Sequence, residues 1–124
     1  MKLVYKRKFD AAHRLFDESK TKEWNETNFG KCTNLHGHTW VVEFTLCGQT
    51  NSDNSMLINF NVLKGLIDSL DHKFINEVIP MLPTAENLVG YFLSELLDEQ
   101  LFTYIKVKVW ESDHAYAEDE WGTS

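Results

Sequence analysis

Cysteine is scarce in this chain. Its 124 residues hold only Cys32 and Cys47, too few for a disulfide scaffold and, beside five histidines, better suited to reduced thiols. Glycine and proline are sparse too, at six and two, which excludes collagen-like and disordered classes. No apolar run approaches the roughly 18 residues of a membrane helix, and the opening Met1-Lys2-Leu3-Val4-Tyr5-Lys6 has neither the apolar stretch nor the cleavage site of a signal peptide. A cytoplasmic protein without membrane contact is therefore expected. There is no surplus of positive charge: twelve Lys and Arg face nineteen Asp and Glu, a net charge of −7. That balance argues against a nucleic-acid surface spread over the fold. Internal repeats and low-complexity tracts are absent as well. What remains, 43% apolar and 25% charged residues, is the profile of one soluble globular domain with one core.

The charge is placed unevenly. Residues 1–31 carry eight of the twelve bases, Lys2, Lys6, Arg7, Lys8, Arg14, Lys20, Lys22 and Lys31, against five acids, a local +3, which leaves −10 for residues 32–124. A basic first third can attract a small polyanion such as a phosphate ester. It can equally be a solvated edge strand whose charges discourage edge pairing.

Periodicity sets out the elements. From Leu3 to His13 one parity reads Leu3, Tyr5, Arg7, Phe9, Ala11, His13, a half-buried strand. A second alternation from His36 to Leu46 puts His36, His38, Trp40, Val42, Phe44 and Leu46 on one face. After the turn cluster 49–55, Phe60, Leu63, Leu66, Ile67 and Leu70 recur at helical spacing, and this helix is expected to end near Asp71-His72. Pro80 and Pro83 punctuate the next link. Thr84 is a natural N-cap with Glu86 in the first turn, opening a second helix over about 85–99. Thr103, Ile105, Val107 and Val109 mark a third strand, and 114–121 a fourth. The order is strand, strand, helix, helix, strand, strand. A connection of over twenty residues, about 14–35, joins two strands that should pair, and loops of that length in compact domains tend to carry function.

His36-Gly37-His38 is the sharpest local signal. On a strand, residues i and i+2 share a face at about 6–7 Å, from which two imidazoles can lean onto one ion. The intervening glycine admits close packing from behind. His13 closes the first strand on its core side, so antiparallel pairing would bring it to the same point. Three neutral imidazoles on one ion form the pattern of a catalytic zinc site with a fourth position open. Taken singly, each histidine reads more simply as a hydrogen-bonded core residue. Cys32, four residues before His36, is either a fourth ligand of a closed site or, unligated, a candidate general base. Cys47, on the opposite parity, is a packing residue.

Two further groups stand out. Asp71 beside His72 could fix an imidazole tautomer, as in acid/base relays, or His72 could simply complete a helix end. Glu111 shares parity with Ile105, Val107 and Val109, so a regular strand would turn its carboxylate toward the core, where it must be paired or used. Such a group suits two parallel N–H donors, the guanidine-like edge of a pterin or guanine. The alternative ends the strand early and leaves Glu111 in solvent.

Taken together, Phe9-Asp10-Ala11-Ala12-His13-Arg14-Leu15, Cys32-Thr33-Asn34-Leu35-His36-Gly37-His38, Leu70-Asp71-His72, Pro83-Thr84-Ala85-Glu86-Asn87 and Val109-Trp110-Glu111 resemble, in order, the motifs of the 6-pyruvoyltetrahydropterin synthase superfamily. The match spans about residues 3–112. The three-residue gap between Cys32 and His36 resembles the 6-carboxy-5,6,7,8-tetrahydropterin synthases of queuosine biosynthesis more than the pyruvoyl-forming enzymes. No glutamate occupies 33–35, unlike the variants that cleave in the manner of dihydroneopterin aldolase.

The resemblance implies an α+β architecture, the T-fold or tunnelling fold. In it a single domain over 1–124 forms an antiparallel four-stranded sheet with two helices on one face, order ββααββ. It implies a homo-oligomer, a hexamer built as a dimer of trimers, with active sites between subunits. By the matching motifs His13, His36 and His38 would hold Zn2+ and Cys32 would abstract a proton. Asp71 and His72, supplied by a neighbouring subunit, would complete a Cys-Asp-His relay. Glu111 would anchor the pterin, with Thr84 and Glu86 lining the pocket. The implied reaction is a carbon–carbon lyase reaction taking 7,8-dihydroneopterin triphosphate to 6-carboxy-5,6,7,8-tetrahydropterin, with release of acetaldehyde and triphosphate. The competing expectations are a 6-pyruvoyltetrahydropterin synthase, which eliminates triphosphate and keeps the side chain, and a non-catalytic zinc-stabilised module. The loop around Trp24, Asn25, Asn28 and Phe29, the acidic end 118–121 and His114 match no motif, and His114 is expected in solvent.

Overall fold

The computed structural model describes all 124 residues. Strands β1 (Lys2–His13), β2 (His36–Cys47), β3 (Tyr104–Ser112) and β4 (Ala115–Gly122) form one antiparallel sheet in the order β1-β2-β3-β4. Three helices accompany it: α1 (Lys22–Phe29), α2 (Phe60–Asp68) and α3 (Ala85–Asp98). None is long and apolar enough to cross a membrane.

The alternation along the strands does what it should. Trp40, Val42, Phe44 and Leu46 on β2, and Ile105, Val107 and Val109 on β3, are fully buried on one face. Against them pack Leu63 and Ile67 of α2, Leu70 just beyond it, and Leu88, Val89, Phe92 and Leu96 of α3. All 21 buried apolar residues belong to a single cluster, so the domain has the one core its length led us to expect. Thr84 caps α3 by accepting from the Asn87 N–H, as its position before Ala85 suggested.

Three sequence expectations need correction. The 14–35 connection is not structureless. It contains α1 and a 3₁₀ turn over Gly30–Thr33, so the order is β, α, β, α, α, β, β and the helices number three. The capping signals were present: the Thr21 hydroxyl accepts from Trp24 N–H at 3.0 Å, Glu23 lies in the first turn, and Gly30 stops the helix at a left-handed φ of 56°. No apolar stripe accompanied them, because only Trp24 and Phe29 are large and apolar. Second, α2 ends at Asp68, short of Asp71-His72, and His72 leaves the following turn at φ 60°. Third, a Cβ added to Gly37 would meet nothing nearer than the Ala11 carbonyl at 3.8 Å, ordinary van der Waals contact, so close packing does not require glycine there.

Register decides what the sheet brings together. β1 pairs with β2 over its whole length, from Lys2↔Cys47 to His13↔His36. β2 and β3 pair only from Cys47↔Tyr104 to Val41↔Trp110. Beyond that point the two strands fork. The half of β2 carrying His36 and His38 is bonded to β1 alone, and the end of β3 carrying Glu111 is bonded to β4 alone.

The Phe44 and Phe92 rings meet edge to face at 5.5 Å and tie α3 to the sheet. Truncating Phe92 to Ala is expected to cost about 3–5 kcal/mol, read as a fall in the denaturant midpoint at unchanged m-value. A loss below about 1 kcal/mol would mean that α3 is not held through this contact.

Candidate metal centre and active site

The terminal register pair of β1 and β2 sets His13 directly opposite His36, and His38 follows on the same face. Their ring centroids lie 4.6, 4.9 and 5.1 Å apart, and Trp40 packs beneath at 5.0 Å from His13 and 5.4 Å from His38. The Trp40 indole donates to the Ala11 carbonyl, so this floor is itself pinned to β1. His13 is 0% exposed.

Each ring has a reason for its orientation. The Nδ1–H of His13 points at the Pro83 carbonyl, 2.8 Å away, and the Nδ1 of His36 lies 2.7 Å from the Asn34 carbonyl. A carbonyl can only accept, so both rings carry their proton on Nδ1 and present a bare Nε2. The Nε2 atoms of His13, His36 and His38 are buried and have no hydrogen-bond partner. Three buried, unpartnered imidazole nitrogens are costly in a protein interior. Coordinated to one cation they are satisfied, and backbone carbonyls on the far ring nitrogens are the usual outer support of histidine ligands. The donor set fits a divalent transition metal, zinc among them.

Glu111 completes the cluster. One ligand-capable atom from each of His13, His36, His38 and Glu111 lies within 4.8 Å of the other three. Glu111 Oε1 stands 3.0 Å from His38 Nε2 without the alignment of a hydrogen bond. It sits where the β3–β4 register shifts between Trp110 and Ser112, an irregularity that re-aims side chains. The strand does turn it to the histidine side, but its side chain is 35% exposed rather than buried in the core.

Cys32 is not among these four, so the fourth ligand of a closed Cys-His site is not what this arrangement offers. The thiol is half-buried on the 3₁₀ turn, and that turn is sewn to the residues just after His13. Leu15 N–H donates to the Cys32 carbonyl at 2.8 Å, and Arg14 Nε to the Thr33 carbonyl at 2.9 Å. Two asparagines that sequence reasoning missed hold the frame. Asn76 grips both backbone groups of Arg14 at 2.9 Å. Asn25, fully buried, accepts from Asp17 N–H and donates to the carbonyls of Asp17 and Thr21. A buried asparagine in a helix without a stripe, or a half-buried one in a three-residue 3₁₀ turn, gives no periodic signal, so neither could have been found by pattern.

Asp71 and His72 form a second cluster with Asp10, at the outer edge of β1. Segment 72–74 runs beside β1: His72 N–H donates to the Asp10 carbonyl, Ala12 N–H to the Lys73 carbonyl, and Ala12 bridges to Phe74 in parallel. Asp71 accepts from the Asp10 N–H and lies 3.0 Å from His72 Nδ1. Those contacts, the Asp10 amide foremost, hold its carboxyl below the usual aspartate range. His72 is 78% exposed and its backbone is in the left-handed region, an unusual state for a bulky residue. Cys32 joins neither cluster, so no Cys-Asp-His relay assembles within one chain. The Thr84 hydroxyl is taken up in capping α3, next to the Pro83 that orients His13, and Glu86 is exposed. His114 is exposed, as expected.

Comparison with known proteins places this geometry. Residues 2–120 match the family model described as 6-pyruvoyl tetrahydropterin synthase. The chain is 31% identical to the 6-pyruvoyl tetrahydrobiopterin synthase of Dictyostelium discoideum, over 87% of each chain. It is equally 31% identical to the 6-carboxy-5,6,7,8-tetrahydropterin synthase of Aquifex aeolicus, over 90% of this chain and 92% of that one. A solved structure of Caenorhabditis elegans 6-pyruvoyl tetrahydropterin synthase superposes with a TM-score of 0.80 at 24% identity, covering 98% of this chain and 96% of that one, which shows the shared fold.

Burial, opposed by the Pro83 carbonyl, lowers the pKa of His13 from 6.5, and burial, opposed by Glu111, likewise lowers that of His38. On acidification the unfolded chain therefore binds these protons first. The stability of the cation-free protein should be full above about pH 6.5 and fall as pH drops from there toward the lowered folded values. Urea midpoints across that range test this, and a midpoint that rises on acidification would contradict it. Replacing either His13 or His36 with Ala should abolish stoichiometric zinc binding, measured by atomic absorption after gel filtration. The three-histidine cluster, its outer carbonyl supports and the match over nearly the whole chain agree: this chain belongs to the 6-pyruvoyl tetrahydropterin synthase family.

Proposed function

We propose that the protein is a zinc-dependent lyase that takes up one water in converting 7,8-dihydroneopterin triphosphate to 6-carboxy-5,6,7,8-tetrahydropterin, with release of acetaldehyde and triphosphate, in the route to queuosine and related 7-deazapurines. The observation that carries this reading is the division of labour at the site: three histidine Nε2 atoms converge without partners while Cys32, whose carbonyl is tethered to Leu15 two residues beyond His13, stays outside the ligand cluster. Its three-residue spacing from His36, filled by Thr33, Asn34 and Leu35, favours the carboxy-forming type.

His13, His36 and His38 would hold the ion, which when bound supplies Lewis acidity that loosens the C–H and O–H protons of the substrate side chain. Cys32 takes up a proton as general base. Asp71 holds His72 by its Nδ1, leaving Nε2 to give and receive protons in the manner of a base with its orienting carboxylate. Glu111 offers two oxygens to the N–H edge of the pterin at the mouth of the site. Thr84 and Glu86 stand at the start of α3, beyond Pro83.

The relay requires a second subunit, and the sheet has the edges for one. β1 and β4 are its two margins, and segment 72–74 covers β1 only along Asp10–Ala12. β1 carries Lys2, Lys6 and Lys8 where β4 carries Glu118, Asp119 and Glu120. Opposite charge on opposite edges supports head-to-tail pairing into a closed ring, and rings of three stacked in pairs would bring the half-buried Asp71 and exposed His72 of one chain to the Cys32 of the next.

Incubation with 7,8-dihydroneopterin triphosphate should release acetaldehyde in step with triphosphate. Triphosphate without acetaldehyde would instead identify the 6-pyruvoyl-forming reaction, which the Dictyostelium relative's name keeps in view. Cys32→Ala should keep its zinc and lose about 10²–10⁴-fold in kcat, the usual weight of a general base. Loss of zinc and fold together would support a non-catalytic zinc module instead.

A further inference from the structure

At the register shift of β3, where pairing with β4 passes from Trp110↔Tyr116 to Ser112↔Ala115, Glu111 is the residue left without a partner. Its carboxylate faces two ways. It belongs to the cluster in which one ligand-capable atom from each of His13, His36, His38 and Glu111 lies within 4.8 Å of the others. With 35% of its side chain exposed, it also lines the 860 Å³ cleft opened by the fork between β2 and β3.

The approach to His38 is not that of a hydrogen bond. Glu111 Oε1 lies 3.0 Å from His38 Nε2 without the required alignment, and that Nε2 is buried and has no partner. A carboxylate and a bare imidazole nitrogen both offer lone pairs. One cation accepting from each accounts for their meeting where a shared proton does not. His38 is the only group with which Glu111 forms an ion pair, so no lysine or arginine holds it there. Asp113, the other carboxylate of the cleft, is 90% exposed and lies beside His114 instead.

Anchoring a pterin asks for a different position. The N–H edge of a pterin and its side chain lie at opposite ends of two fused rings. A carboxylate in contact with His38 Nε2 therefore does not hold the edge while an ion on the histidines holds the side chain. The cleft leaves Glu111 room for the second position.

We propose that Glu111 is the fourth ligand of the cation in the substrate-free protein, and that the incoming pterin draws its carboxylate off the ion. The coordination place for the substrate side chain then opens only once the heterocycle is bound. The ligand role rests on the cluster, while the identity of the incoming group rests on the lyase reading. The exchange keeps the carboxylate paired throughout: it trades a cation for two N–H donors, and its charge is never left alone.

The test uses cobalt(II)-loaded protein, whose visible absorption follows the number and charge of its ligands. Azide is the probe of a free coordination place, and 6-unsubstituted pterin is the probe that has the N–H edge but no side chain to reach the ion. Wild type should bind azide weakly. Glu111→Gln and Glu111→Ala should show altered cobalt spectra, bind azide roughly tenfold or more tightly, and hold zinc roughly tenfold or more weakly against a chelator. Pterin should raise the azide affinity of wild type toward that of the variants and leave theirs unchanged. Equal azide affinity in wild type and both variants overturns the proposal, and so does pterin that binds wild type without changing its azide affinity. The pterin arm needs no variant to fold. If these contrasts hold but 7,8-dihydroneopterin triphosphate yields no acetaldehyde, the ligand role stands and the lyase reading fails.

Discussion

Two backbone carbonyls organise this protein's chemistry. By accepting the Nδ1 protons of His13 and His36, Pro83 and Asn34 fix the tautomer of two imidazoles and turn their Nε2 atoms to a common point. That only works if the rings already stand side by side, which the β1–β2 register guarantees by pairing His13 with His36 as its last rung. A one-residue slip would send both histidines to the opposite face. The buried alternation from Phe9 and Trp40 onward prevents such a slip, so the core that stabilises the fold also sets the histidine cluster. Burial lowers the proton affinity of His13 and His38, which keeps them free to bind a cation near neutrality.

Around that fixed point the rest of the site is built from departures from regularity. The β2–β3 fork opens the sheet, the register shift after Trp110 aims Glu111, and the left-handed His72 is held against the margin of β1 by its N–H to Asp10. Cys32 is carried by a turn whose position depends on Asn25, Asn76 and Arg14 rather than on apolar packing. Polar frames of this kind are satisfied in one geometry and costly in others, and so place a group more sharply than a loose apolar contact would. On the function proposed above, the cation ligands would lie on strands and the proton-handling groups on turns, which suits a fixed electrophile served by groups that a second subunit can complete.

The sequence was most informative where one physical demand repeats. Alternation located the first three strands, the stripe from Phe60 to Leu70 located α2, and Thr84 located α3. Antiparallel pairing alone brought His13 to His36 and His38. Where a demand is met once, by a single hydrogen bond, pattern was silent. Helix α1 has caps without a stripe, Asn25 is a polar residue buried for its amide, and the exposure of Glu111 depends on a strand irregularity that no alternation reveals. The glycine between the histidines invited a packing explanation, but a Cβ there would meet only ordinary van der Waals contact. Asp71 and His72 were legible as a pair.

The central claim is that three imidazole nitrogens hold the cation and the sulfur of Cys32 does not. X-ray absorption at the zinc edge of the loaded protein, alongside Cys32→Ser, measures this directly. The expected result is a coordination shell of nitrogen and oxygen scatterers, with imidazole outer-shell features, that is the same in both proteins. A sulfur scatterer in the native protein that disappears in the serine variant would contradict it.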